Sequence, residues 1–349
     1  MNPGRFRVVT ALPPDGGWRT ELAVDVSATP PRPVVLARVP PAVTGDASVL
    51  AALLRGVELA ARADHPSILP VLGLAETGGG LAVLGPFREG ETVRAVLAGG
   101  GPLPPPLAAK VVFDVALAIH AAHALAGVGD RVLCHGDVRA ERVLVTEDGG
   151  VLLVGLGRPA EAKTTPADDL RAAARLLQAC LAPAGQGAVP PDLAAVVERA
   201  LGPEGFQSGA ALAAAVASAV TPATPAALAA HVAVAVPAGG ALRSARRRAL
   251  QVALKEEGVE VEEGSGLSEA IPTSTSTPTS PAALSPQPSP PVGESEESHG
   301  PAVAERGESH GLAVVEREEY SLLDDDRLPL LVAAACGAVG LLLGWLVGR

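Results

Sequence analysis

Cys134-His135-Gly136-Asp137-Val138-Arg139-Ala140-Glu141-Arg142-Val143-Leu144-Val145 is the stretch on which the reading of this 349-residue chain turns. It gathers a histidine, two acids and two arginines into eight residues, then becomes an apolar strand. About ten residues on stands Leu153-Val154-Gly155-Leu156-Gly157. Around it, 349 residues allow one or two domains. With four Phe, two Trp and one Tyr, the core must be built from Leu, Val and Ala, which this length permits. The net charge of −11 is uneven: residues 256–326 hold 17 acidic and two basic residues, leaving 1–255 near neutral. The acidity therefore belongs to a tail and says nothing about the main domain's ligand. Cys134, Cys180 and Cys336 are odd in number and far apart, which points to a reducing compartment without a disulfide framework.

The opening stretch resembles the catalytic loop of protein kinases, H-R-D-L-K-P-E-N followed by an apolar strand. His135, Gly136 and Asp137 fall on H-R-D, Arg139 on the lysine, Glu141 on the glutamate and Arg142 on the asparagine. Gly155-Leu156-Gly157 falls on D-F-G. The resemblance runs over residues 5–220 and implies an α+β, two-lobed protein-kinase-like fold of the bacterial Ser/Thr kinase type. The local patterns follow that order. Phe6–Leu12, Glu21–Ser27 and Pro33–Val39 read as antiparallel strands. Ser48–Ala63 reads as a helix, with Leu50, Leu53, Leu54, Val57 and Ala61 at helical spacing. Leu69–Leu74 and Leu81–Gly85 read as a hairpin, Leu107–Ala124 as a long apolar helix, and Leu193–Leu201 and Ala210–Val220 as the last helices of the second lobe.

Judged by that resemblance, the chemistry is depleted. A kinase holds two magnesium ions with the D-F-G aspartate and the catalytic-loop asparagine. Gly155 supplies no carboxylate, and Arg142 brings a permanent positive charge to the other position. No metal site is expected. Arg38 is aligned with the lysine of V-A-I-K, and the glutamate that would pair with it lands on Gly56. The first turn, L-P-P-D-G-G-W-R-T, reads as a hairpin turn, because Pro13 and Pro14 remove donors that a phosphate-cradling loop needs. Asp137, the remnant of the general base, remains but cannot supply the positioning and electrostatics on which phosphoryl transfer rests. Arg38, Arg139 and Arg142 with Gly155 are read as remnants of a nucleotide pocket that would suit ATP without metal, if any nucleotide. His135 and Asp169 are read as structural, with Asp169 bracing the loop. The activation segment is short and has no A-P-E.

Beyond the kinase-like region, 221–255 is an Ala/Pro-rich segment and then a basic helix. That helix carries Arg243, Arg246, Arg247, Arg248 and Lys255, and is read as a solvated surface helix or as a contact for acidic lipid or an acidic partner. One basic cluster without aromatics does not indicate nucleic acid. Residues 256–327 read as a disordered, acidic, Ser/Thr/Pro-rich linker holding a tandem repeat, Glu297–Gly307 and Glu308–Glu318. Leu328–Gly348 has no charge in 21 residues, about 30 Å as a helix, which matches a bilayer core. The expectation is a single-pass C-terminal membrane anchor. The main domain is placed in the cytoplasm because the N-terminus lacks an apolar signal run. Gly337, Gly340 and Gly344 offer a homodimer contact along the anchor. Three functions follow: a membrane-anchored pseudokinase that regulates or scaffolds a protein partner such as another kinase or signalling protein, a weak or unconventional ATP-dependent Ser/Thr kinase, or a tether working through its linker.

Overall fold

Five short Val/Leu/Ala-rich runs at the start of the chain pair into one antiparallel sheet. They are β1 (Phe6–Ala11), β2 (Arg19–Asp25), β3 (Arg32–Arg38), β4 (Gly73–Thr77) and β5 (Gly80–Pro86), in the order β1-β2-β3-β5-β4. The crossover from β3 to β4 carries α1 (Pro41–Thr44) and α2 (Ala47–Ala60). Asp46 starts α2 by accepting hydrogen bonds from the Ser48 and Val49 amides, which satisfies two donors at the helix N-terminus. The computed structural model describes residues 4–13, 17–125, 132–159, 164–181, 189–237 and 241–259.

The second lobe is helical around a three-stranded sheet. A short strand, β6 (Gly90–Thr92), leads from the first lobe into α3 (Val93–Gly100) and α4 (Pro105–His123). β6 pairs with β7 (Val143–Thr146), which pairs with β8 (Val151–Leu153). Then come α5 (Pro166–Leu181), α6 (Pro191–Leu201), α7 (Gly209–Ala219), α8 (Pro225–Ala235) and α9 (Ala241–Glu256). Helix α4 is the axis of this lobe: it is apolar on nearly every side and buries Val111, Val112, Val115 and Ile119. Among the described residues it is the one helix long and apolar enough to cross a membrane, and most of it is buried within the lobe, as a core helix is. The lobes are stitched after α2, where Leu69 donates to the Leu153 carbonyl at 2.9 Å and Leu153 to that of Ser67 at 2.8 Å.

The expected elements appear with shifts of a few residues. The strand expected from Leu69 begins at Gly73, and the Ala/Pro-rich segment forms α8, which lies outside any expectation made for it. Residues 260–349, including the linker and the apolar run 328–348, lie outside the described residues.

The alternation of β2 and β3 gives the first-lobe sheet two different faces. Thr20, Leu22 and Val24 face the same way as Val35 and Ala37, since Leu22 is opposite Val35 and Thr20 opposite Ala37. Helix α2 covers one half of this face, packing Leu53 and Val57 in the same cluster as Ala37 and Val83. Helix α9 covers the other half with Leu250, Ala253 and Leu254 against Leu22 and Val24. The opposite face carries Ala23, Val34, Leu36, Ala82 and Leu84, all buried.

Candidate functional site: the catalytic-loop remnant and the interlobe face

A 3-10 turn, Ala140–Arg142, carries the loop into β7. Its anchor is Asp169 on α5, whose side chain is 1% exposed. One oxygen of Asp169 accepts the Gly136 amide at 2.7 Å. The other accepts the His135 amide at 2.8 Å and stands 2.9 Å from His123 Nε2. A carboxylate holding two consecutive amides fixes a loop firmly, because charge-assisted bonds are the stronger kind. His135 is buried; its Nδ1 accepts the Asp137 amide at 3.2 Å, so its Nε2 donates to the Val154 carbonyl at 3.0 Å. Burial pushes the imidazole's pKa down and keeps it neutral.

Asp137 is clamped from two sides. Arg139 Nε lies 2.7 Å from one oxygen, and Arg142 Nε and Nη2 lie 2.9 and 2.8 Å from the other. Burial opposes the charge on Asp137, but the hydrogen bonds from Arg139 and Arg142 prevail and hold its carboxyl below the usual range. A carboxylate so stabilised is a weak proton acceptor at neutral pH.

Arg142 itself is buried, and its guanidinium reaches across to Gly155. A Cβ built on Gly155 would lie 3.1 Å from Arg142 Nη1, and the glycine has φ +96°. An aspartate at 155 would thus meet both a strained backbone and an occupied space. The two positions that would ligate magnesium are a glycine and the cation filling the space beside it. These residues do not fit a divalent cation.

Arg38 is not at this site. Its guanidinium pairs with Glu21, with Nε 2.9 Å and Nη2 2.7 Å from Oε2, and Glu21 is buried. Arg38 shares the sheet face of Leu36, turned away from α2. Ala37 is the β3 residue that faces α2 and the second lobe. The alignment of Arg38 with the kinase lysine is therefore off by one residue, and a shift of one on a strand exchanges the faces. The three arginines do not converge: Arg139 and Arg142 hold Asp137, while Arg38 holds Glu21 on the far side of the sheet.

Gly56, where the resemblance places the paired glutamate, lies against Gly157, and its function is close packing. A Cβ there would come 2.5 Å from the Gly157 carbonyl oxygen, and one on Gly157 would come 2.6 Å from that of Gly56. Helix α2 and the G-L-G turn touch backbone to backbone. Glu58 is exposed.

Trp18 was not singled out from the sequence. It follows the β1–β2 turn, is 7% exposed, and lies in the cluster of Ala37, Leu53 and Val57. The Arg158 guanidinium stacks 4.6 Å from its ring centroid, next to the G-L-G turn. The indole is thus held between the first-lobe core and the Arg158 side chain. Glu21 was missed as well; period-2 alternation through Glu21, Ala23 and Asp25 was the available signal. His123 and Cys134 lie close enough to Asp169 to form a ligand cluster. Both Asp169 oxygens already accept amides, and burial pushes the Cys134 thiol up to about 11, away from the thiolate that a metal needs. The trio works as a brace.

The arginine helix α9 is neither solvated all round nor turned wholly outward. Arg243 is buried and pairs with Glu91, and Arg247 pairs with Glu89 and Glu147. The reading of a helix solvated all round is corrected for Arg243 and Arg247, whose acidic partners belong to their own domain, while Arg248 and Lys255 stay exposed.

No protein-family model matches the chain. Residue similarity links part of it to serine/threonine-protein kinase PknD of Mycobacterium tuberculosis, 32% identical over 126 residues, which is 36% of this chain and 18% of PknD. Serine/threonine-protein kinase PknH of Mycobacterium bovis is 33% identical over 103 residues, 30% of this chain and 16% of PknH. The chain thus matches less than a fifth of the length of these relatives. The crystal structure of the Mycobacterium tuberculosis PknI kinase domain superposes with a TM-score of 0.50 at 22% identity, covering 62% of this chain and 95% of that domain. This chain's sheet order and the superposition show a protein-kinase-like domain, and over part of its length the chain is similar in sequence to bacterial Ser/Thr protein kinases.

Proposed function

We propose that this chain is a membrane-anchored pseudokinase, a signalling scaffold or regulator that has given up phosphoryl transfer. The observation that carries the reading is the Arg142 guanidinium, held by Asp137 and packed against Gly155 where two metal ligands would converge. Phosphoryl transfer depends on metal ions that bridge and neutralise the phosphates, and a buried arginine repels them. Two further features support it. Trp18 and α9 cover the sheet face beneath which a nucleotide would lie. Ala37 stands on the face where a phosphate-binding lysine would be needed. The apolar run 328–348 supplies the anchor, and a protein partner, another kinase or a signalling protein, is what such a module would act on.

A weak or unconventional Ser/Thr kinase is the second reading. It is favoured by the retained Asp137, whose side chain is 42% exposed, and by relatives named as kinases. Purified full-length chain incubated with labelled ATP and Mg²⁺ or Mn²⁺ separates the two. The pseudokinase reading expects incorporation no higher than background. Robust autophosphorylation that Asp137→Asn abolishes would establish the kinase.

A further inference from the structure

Helix α9 is the last described element before the acidic spacer, and it grips both lobes. Leu250 is fully buried, with Ala253 and Leu254 beside it against Leu22, Val24 and Phe87. Arg243 Nη2 lies 2.7 Å from Glu91, which is on β6, and Arg247 lies 3.0 Å from Glu89 and 2.8 Å from Glu147 in the β7–β8 turn. Arg7 on β1 pairs with Glu256 and Glu257 at the other end.

The seat is incomplete. Arg246 Nε and Glu89 Oε2 are both buried without a hydrogen-bond partner. Buried polar atoms left in this state detract from the docked form. The pairs of Arg247 with Glu147 are about a third exposed on each side, where ions exchange readily. The helix also has a composition suited elsewhere. Arg243, Arg246, Arg247, Arg248 and Lys255 stand against a single acid, Glu256, beside an apolar stripe. That pairing of a cationic face with apolar residues is what lies stably in the headgroup layer of an anionic bilayer. Charge is segregated along the sequence, with the helix's arginines before Leu250 and the acids from Glu256 onward, so the basic half of α9 can meet an anionic surface apart from them.

We propose that α9 is a detachable helix that exchanges between this seat and an anionic phospholipid surface, with its arginines bound alternately by Glu89, Glu91 and Glu147 or by lipid phosphates. Departure uncovers Leu22, Val24 and Phe87, so lipid charge would decide when the nucleotide side of the sheet is open to a partner. The inference draws on the anchored reading only for proximity, which raises the local concentration of lipid near α9.

Val8 and Val252 flank the groove between β1 and α9, and both are about half exposed, so each tolerates a label. In a full-length chain cleared of its native cysteines, spin labels at Val8→Cys and Val252→Cys report docking as a distance. Its melting transition must match that of the parent chain. The chain is mixed with vesicles of phosphatidylcholine alone or with phosphatidylserine added, and sedimentation is read in parallel. The expected result is a single short distance on phosphatidylcholine and a second, longer population on phosphatidylserine. Glu89→Gln with Glu147→Gln should enlarge the longer population, Arg246→Gln with Arg248→Gln should shrink it, and salt should reverse it. A short distance on both surfaces, in a chain that sediments with both, overturns the proposal, as does equal release on both. Failure to sediment with phosphatidylcholine would instead count against the anchor, while a longer distance on phosphatidylserine would still uphold the exchange.

Discussion

Removing the Asp137 carboxylate leaves the buried Arg142 guanidinium facing a neutral group. Asp137→Asn should therefore destabilise the domain by about 1–3 kcal/mol, the cost of an imperfectly satisfied buried partner, as read by urea denaturation. A residue kept for chemistry alone would change little. The pH dependence has a definite sign. Asp137 has a folded pKa below that of an unfolded aspartate, so its contribution is present above about pH 4 and is lost as pH falls through the folded value. His135 is also depressed, mainly by burial, as is the half-buried His65 in the segment that follows α2. The unfolded chain takes up their protons first, so stability should begin to fall as pH drops below about 6.5. Denaturation midpoints between neutral and mildly acid pH check this, and His135→Asn should flatten the fall. At this scale the loop was legible, because acids, arginines and a histidine at fixed spacing precede a strand. The register of Val34-Val35-Leu36-Ala37-Arg38 was not. An unbroken apolar run has no internal mark of which residues face inward, and only packing against α2 decides.

Helix α2 meets the G-L-G turn at Gly56 and Gly157, and the contact has no room for a side chain. Gly56→Glu, which puts back the acid found there in kinases, should destabilise rather than activate, by about 1–3 kcal/mol as overpacking does. Gly157→Ala should do the same, with the strain of φ +83° added. Thermal melting of both variants tests this, and a stable Gly56→Glu protein would contradict the contact. Most elements were legible because period-2 and helical spacing were clear and Gly or Pro bounded them. Helix α9 was foreseen as a helix, but its docking was not. Periodicity shows that Leu250 and Leu254 share a stripe without showing what covers it. Trp18 was hidden for a related reason: a tryptophan beside a turn gives no sign of the core it enters.

Taken as a whole, the molecule keeps the kinase architecture while its interlobe face is given over to packing: Trp18 and Arg158 at one end, α9 at the other, and Arg142 locked to Asp137 between lobe and loop. Fold alone does not fix function, and here the order of motifs revealed the fold while the absent metal ligands carried the functional reading. At this scale the anchor is tested by deletion. Removing 328–349 should move the chain to the soluble fraction with an unchanged melting transition, and a truncated chain that stays with membranes in high salt would point to another anchor. The claim that the cleft has lost metal–nucleotide chemistry is tested most directly by titrating the full-length chain with ATP, with and without Mg²⁺, and following its melting temperature. The account predicts no Mg²⁺-dependent stabilisation at millimolar nucleotide. A rise in melting temperature that appears only when Mg²⁺ is present would contradict it.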